Sequence, residues 1–305
     1  MPFRLARLVV WVALVSWSPS GLLAAQDTTH ARADTVGHFH IGLTIHDYGI
    51  SFGNAPRING VRLNVQDADL ERVNGINVTL WKPREPFTGT VNGAQIGLLP
   101  GSSEVNGVGV GLAGLVADGC IHGIGFGGLG AVANGDVKGV VFGGLGAVAN
   151  RDIWGVAVSG LGTVANRDVV GLAFAGLGTV ANRDVTGAGL GGLALVANGS
   201  ITGLGVGGLA VVANGRITGL GIGGLAVVAN ESIRGIALAG YSVDSHEMDG
   251  VAVSAYNRVR GSQRGLAIGI YNSAYELHGV QIGIINRAKN NKAPFKILPL
   301  LNVHL

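Results

Sequence analysis

Asparagine recurs at positions 134, 150, 166, 182, 198, 214 and 230, sixteen residues apart each time, and each closes the tripeptide Val-Ala-Asn. Glycine keeps the same step at 123, 139, 155, 171, 187, 203, 219 and 235. A fixed period this short marks an array of stacked units, because one unit alone cannot bury a core. The pattern continues more loosely upstream at Gly60, Gly75, Gly93 and Gly107, and downstream at Gly250, Gly265 and Gly279. About fifteen units result, spaced 14 to 18 residues apart outside the regular block.

Sixteen residues make about 4.4 helical turns, so successive helical units would not share a face. Several glycines and β-branched residues per unit also disfavour helix. Two-residue alternation fits better. After each leading glycine come pairs such as Val140/Phe142, Val156/Val158, Leu172/Phe174 and Leu220/Ile222. Between them stand Val141, Ala157, Ala173 and Gly221, or, in outer units, Arg62, Asn77 and Gln281. This indicates a strand with one side buried, and the larger side chains are expected inside. A second short strand is expected through Val148-Ala149-Asn150, followed by polar corners at Arg151-Asp152, Arg167-Asp168 and Arg183-Asp184.

The fold class read from this is all-β: a parallel β-solenoid of about fifteen rungs, two short strands per rung, capped at both ends. A closed membrane barrel is the competing architecture. Fifteen hairpins would give roughly 30 strands, beyond the common bacterial range, and barrels want aromatic girdles, whereas aromatics are 6% here. Parallel stacking places equivalent residues about 4.8 Å apart, where Asn134, Asn150, Asn166, Asn182, Asn198, Asn214 and Asn230 can form an amide ladder. Each rung is expected to bury a set such as Val156, Val158, Leu161, Val164 and Val169, in a rod of about 70 Å. The intervening small residues would then form a flat outer face, open to a second copy, the envelope or an extended partner.

Residues 1–25 read as a secretory signal: Arg4 and Arg7, an apolar Leu8–Trp17, and Ala24-Ala25 before a cut at Gln26. Ser18 to Gly21 break the apolar run short of the roughly 20 residues a spanning helix needs. Without Arg4 and Arg7 the 21 basic and 18 acidic side chains become 19 and 18, a net of +1, so the charge gives no sign of a nucleic-acid partner. Cys120 is the only cysteine, which excludes an internal disulfide. Residues 26–59 read as a leader and cap, and 60–286 as the repeat domain, most regular over 119–234. Residues 287–305 read as a second cap, with Phe295, Ile297, Leu298, Leu300 and Leu301 covering the last rung against edge pairing.

Catalytic signatures are scarce. Four units match G-x-G-x-x-G, beginning at Gly123, Gly187, Gly203 and Gly219, but the motif recurs with the repeat and no helix follows, unlike a dinucleotide site. His38 and His40, near His46 and Asp47, are the best metal-ligand candidates, and weak ones. Asp136, Asp152, Asp168 and Asp184 are spaced along the stack but alternate with arginines, a solvated corner rather than a sugar-cleaving pair. Thr186, Thr202 and Thr218 form one threonine rank, Thr163 and Thr179 another. No cofactor is expected.

The glycine–aliphatic units, the closing asparagines and the tail GVQIGIINRAKNN…FKILPLLNVHL from Gly279 resemble the bacterial surface-repeat-containing proteins, which carry short repeats of the GLQIGLVN kind. The resemblance covers residues 60–305, is best at 265–272, 279–286 and the tail, and departs in the Val-Ala-Asn centre. It implies an exported, envelope-associated protein and brings no catalytic residues with it. The functional expectation is a non-enzymatic scaffold or adhesion element of the cell envelope. An outer-membrane barrel or pore and a carbohydrate-active solenoid enzyme are the alternatives.

Overall fold

The structure is a computed structural model that describes residues 40–84 and 87–304. The leader and His38 lie outside the described residues. The chain divides after Gly37, and everything described belongs to the unit His38–Leu305.

Every regular element among the described residues is a strand. The longer strand of each unit pairs in parallel with its counterparts one unit before and after. Gly139 stands opposite Gly123 and Gly155, and Phe142 opposite Phe126 and Val158. The short strands stack likewise, Ala147 opposite Ala131 and Thr163. The units are therefore coils of a solenoid and not hairpins of a barrel, and side chains fill the interior. The stack starts one coil earlier than the repeat suggests, because Tyr48–Gly53 pairs in parallel with Arg57–Gln66. An antiparallel strand lies over each end: His40–Ile45 on the first coil and Ile297–His304 on the last.

The alternation of each long strand runs unbroken through its leading glycine. In Ile121–Gly127, Ile121 points inward and His122 outward; Ile124 is again outward, Gly125 inward and Phe126 outward. Gly123 has a φ of 124°, a region open to glycine alone at low cost, and a Cβ there would stand 2.2 Å from Gly107 O of the preceding coil. Each leading glycine from Gly60 to Gly279 likewise has a positive φ, between 105° and 153°. The long strand thus bends, and each coil has three short sides.

The phase of this alternation is the opposite of the expected one. Val141 is 1% exposed and Ala157 and Ala173 are fully buried, while Phe142 and Phe174 are 40% and 44% exposed. Of the five side chains expected inside one rung, only Val169 is buried; Val156, Val158 and Val164 are half-buried and Leu161 is exposed. The reason is the perimeter. Sixteen residues at about 3.3 Å each enclose a contour of roughly 53 Å, leaving on the order of 5 Å from backbone to axis. One branched ladder fits there, Ile121, Val137, Ile153, Val169 and their equivalents, against alanines such as Ala133, Ala149 and Ala165.

The remaining inward positions trade volume across the interior. Where the short strand carries Leu195, the long strand carries Gly189, and a Cβ there would stand 2.7 Å from Leu195 Cδ1. Gly189→Val is therefore expected to cost about 1–3 kcal/mol by overpacking, and Leu195→Ala about 2–5 kcal/mol by leaving a cavity. The double variant should recover part of the loss, a coupling of about 0.5–3 kcal/mol in urea unfolding. Strict additivity would mean the two sites do not share the interior.

The inward kink-strand position turns polar toward the ends. Ser51, Arg62, Asn77, Gln95 and Gln281 are at most 1% exposed, although Arg62, Asn77 and Gln281 read from sequence as outward. Arg62 is held by the buried Asp67. It also donates from Nη1 to Asn77 Oδ1 at 3.1 Å and from Nη2 to Asn54 Oδ1 at 3.2 Å. The C-terminal cap differs from expectation as well. Phe295, Ile297, Leu300 and Leu301 are exposed and Leu298 is half-buried. The capping strand attaches by edge hydrogen bonds and buries Asn302, whose Oδ1 accepts from Asn291 at 2.7 Å.

Candidate interaction surface

The asparagine ladder forms as the spacing requires. Each Nδ2 donates to the Oδ1 of the asparagine one coil earlier, from Asn150 to Asn134 at 2.8 Å through Asn230 to Asn214 at 3.0 Å. Asn134 continues the ladder to Asp118 at 2.7 Å. These side chains line an outer edge. An inner ladder of asparagines, which the repeat did not reveal, runs through the C-terminal coils: Asn257 donates to Asn272 and Asn272 to Asn286, both at 2.7 Å and buried. A third, upstream of the kink glycines, links Asn59, Asn74, Asn92 and Asn106.

The aspartate row works as a set of staples. Asp152 Oδ1 accepts the backbone N–H of Asp168 at 3.0 Å, and Asp168 Oδ1 that of Asp184 at 3.0 Å. Arg151, Arg167 and Arg183 reach back to the aspartate of the preceding coil at 3.4, 3.6 and 3.5 Å. The carboxylates are thus committed to holding neighbouring coils together. Thr186, Thr202 and Thr218 stand in register and exposed. Thr163 and Thr179 point inward instead, donating to Phe174 O at 3.0 Å and Leu190 O at 2.7 Å.

Of the metal candidates, His40, His46 and Asp47 are among the described residues. His40 is exposed on the first strand, and His46 and Asp47, both with positive φ, form the two-residue turn of the N-terminal hairpin. Among the described residues no group of three or more His, Cys, Asp or Glu side chains is placed to hold a metal ion. In the G-x-G-x-x-G units the glycines serve the coil: Gly123 kinks it, Gly125 faces Leu115 inside, and Gly128 turns the next corner. A shallow cleft of about 590 Å³ beside the C-terminal strand is lined by Tyr275, Glu276, Arg287, Lys289, Asn290 and Lys296. Glu276 is its only carboxylate, so it lacks the pair that glycoside cleavage needs.

What the coils do organise is their outer surface. Between Val105 and Ile233 the charged residues are Asp118, Asp136, Lys138, Arg151, Asp152, Arg167, Asp168, Arg183, Asp184, Arg216 and Glu231. In the sixteen-residue frame all of them fall within five consecutive positions, beginning at the ladder asparagine. They occupy one corner and the side that follows it. The other two sides carry only Gly, Ala, Val, Leu, Ile and Phe at their outward positions, from Ile124 to Val228. Those sides meet at a ridge formed by every sixteenth residue from Leu129 to Leu225, each exposed. Backbone bonds run along the ridge from coil to coil, Leu145 N–H to Leu129 O at 2.6 Å and Leu161 N–H to Leu145 O at 2.8 Å.

The apolar short-strand side ends where Asp244 takes the place of Val228 in the next coil. Burial pushes the Asp244 carboxyl above the ordinary aspartate value, against the pull of Arg260 at 3.1 Å and of Arg258. Sequence reasoning found the repeat but missed this surface, because it assigned the large side chains to the interior. The signal was present in the charges, which avoid the outward kink-strand positions from Val108 to Ile268. No family model, curated protein or solved structure matches this chain.

Proposed function

We propose that this chain is a non-enzymatic, exported scaffold of the bacterial cell envelope that works through its two apolar sides. One observation carries the reading: between Val105 and Ile233 charge is confined to one corner and one side of the coil, leaving a continuous apolar surface that reaches the size of the largest patches on ordinary soluble monomers. The hydrogen-bonded and ion-paired carboxylates support the absence of a catalytic role. The leader pattern at residues 1–25 and the resemblance of the tail to surface-repeat proteins support export. Fractionation of a bacterium expressing the full chain tests it. The expected product begins at Gln26 and pellets with the envelope; uncleaved chain in the cytosol would overturn the assignment.

A further inference from the structure

We infer that the apolar wedge lies in the outer layer of a lipid bilayer, with the leucine ridge among the acyl chains and the asparagine edge in water. This rests on the reading of the two apolar sides as the working surface, and names what covers them. A flat partner, a second copy included, can cover one side of a convex wedge but leaves the ridge and the other side wet. Protein interfaces also end in a polar rim, whereas here both sides stay apolar until the charged positions begin. A fluid apolar phase covers both sides and the vertex together. The exposed ridge leucines with Phe126, Phe142 and Phe174 already reach several hundred Å², about the largest patch found on ordinary monomers.

Backbone chemistry agrees. In lipid each N–H and C=O must be satisfied within the protein, and the parallel ladders and ridge bonds do this coil by coil. The apolar kink-strand side runs from Val108 to Ile268 without a charge at its outward positions, ten coil steps or about 48 Å. That exceeds the roughly 30 Å hydrocarbon core, and the polar edge runs alongside for most of its length. The solenoid axis is therefore parallel to the membrane plane rather than across it. Trp154, 48% exposed, sits just before the kink where the polar side meets the apolar one, the level that interfacial tryptophan prefers. The charged corner has five basic and six acidic residues between Val105 and Ile233, so binding gains nothing from anionic headgroups.

Flotation of the full chain with phosphatidylcholine vesicles tests this. Binding is expected to be unchanged by 1 M salt or by added phosphatidylglycerol. Leu161→Asp with Leu193→Asp on the ridge should lower partitioning at least tenfold, while Thr186→Asp with Thr218→Asp on the polar side should leave it within twofold. Both pairs change exposed residues, and circular dichroism verifies the fold. In a Cys120→Ser background, bimane on Leu177→Cys should shift to the blue on vesicle addition, and bimane on Thr202→Cys should not. Failure to float, or flotation indifferent to the ridge variants, overturns the inference; the latter assigns binding to the leader. A discrete dimer in buffer with the Leu177→Cys probe already shifted also overturns it, in favour of a second copy. Because these readouts use purified protein, they stand or fall independently of whether cells export the chain.

Discussion

Asn272→Leu unfolds at a much lower urea concentration than Asn182→Leu. Position in the repeat argues the reverse, since Asn182 stands in the middle of the regular ladder and Asn272 in a looser outer unit. Burial decides the order. Asn182 is bonded to Asn166 at 3.0 Å and Asn198 at 3.1 Å on an exposed edge, where water replaces lost bonds and the cost is about 1 kcal/mol. Asn272 is fully buried. It accepts from Asn257 at 2.7 Å, and donates to Asn286 Oδ1 at 2.7 Å and to Ile282 O at 2.9 Å. Leucine there strands a buried donor and two buried acceptors at about 1–3 kcal/mol each, of which partial relaxation leaves a net of roughly 3–5 kcal/mol. Equal midpoints would mean the inner amide ladder contributes no more than the outer one.

The contrast between these two asparagines marks what the sequence could disclose. The step from Asn134 to Asn230 is visible to the eye, and in-register parallel stacking follows from it. Which way a side chain faces does not follow, because period two has two phases and hydropathy selects the wrong one here. The usual rule places Phe142 inside and Val141 outside. A contour of sixteen residues is too narrow for that, so the smaller side chains take the inward phase along the whole strand. Asn272 was hidden for the same reason. It stands in register with the inward short-strand ladder of Val243 and Asn257, not with the outer edge of Asn182. Arg62 reads from sequence as outward too, since a buried arginine becomes plausible only once Asp67, Asn77 and Asn54 are known to surround it. The candidate surface was legible in one respect only, the confinement of charge to five positions.

Gly171→Ala is expected to be among the most damaging single-methyl additions in the molecule, and Gly146→Ala among the least. At Gly171 φ is 127°, and a new Cβ would stand 2.1 Å from Gly155 O of the preceding coil. Strain at such a φ costs about 1–3 kcal/mol, and relieving the contact requires the parallel bonds on that side to open. A total above about 3 kcal/mol follows, with accelerated hydrogen exchange confined to neighbouring coils, since stability in such arrays is transmitted between neighbours. Gly146 lies in an ordinary strand conformation, where a new Cβ would stand 3.6 Å from Gly162 O, an unstrained contact. The chain already places alanine at the equivalent site in Ala194, Ala210 and Ala226. Gly146→Ala should thus be neutral, or stabilise by about 0.4–1 kcal/mol through the unfolded state. If both variants melt alike, the positive φ and close approach at the leading glycine are not what the coil requires of that position. If they separate as expected, the glycine ladder is what lets successive coils approach this closely, while Phe142 and Phe174 face outward because the narrow contour leaves the inward positions to small side chains.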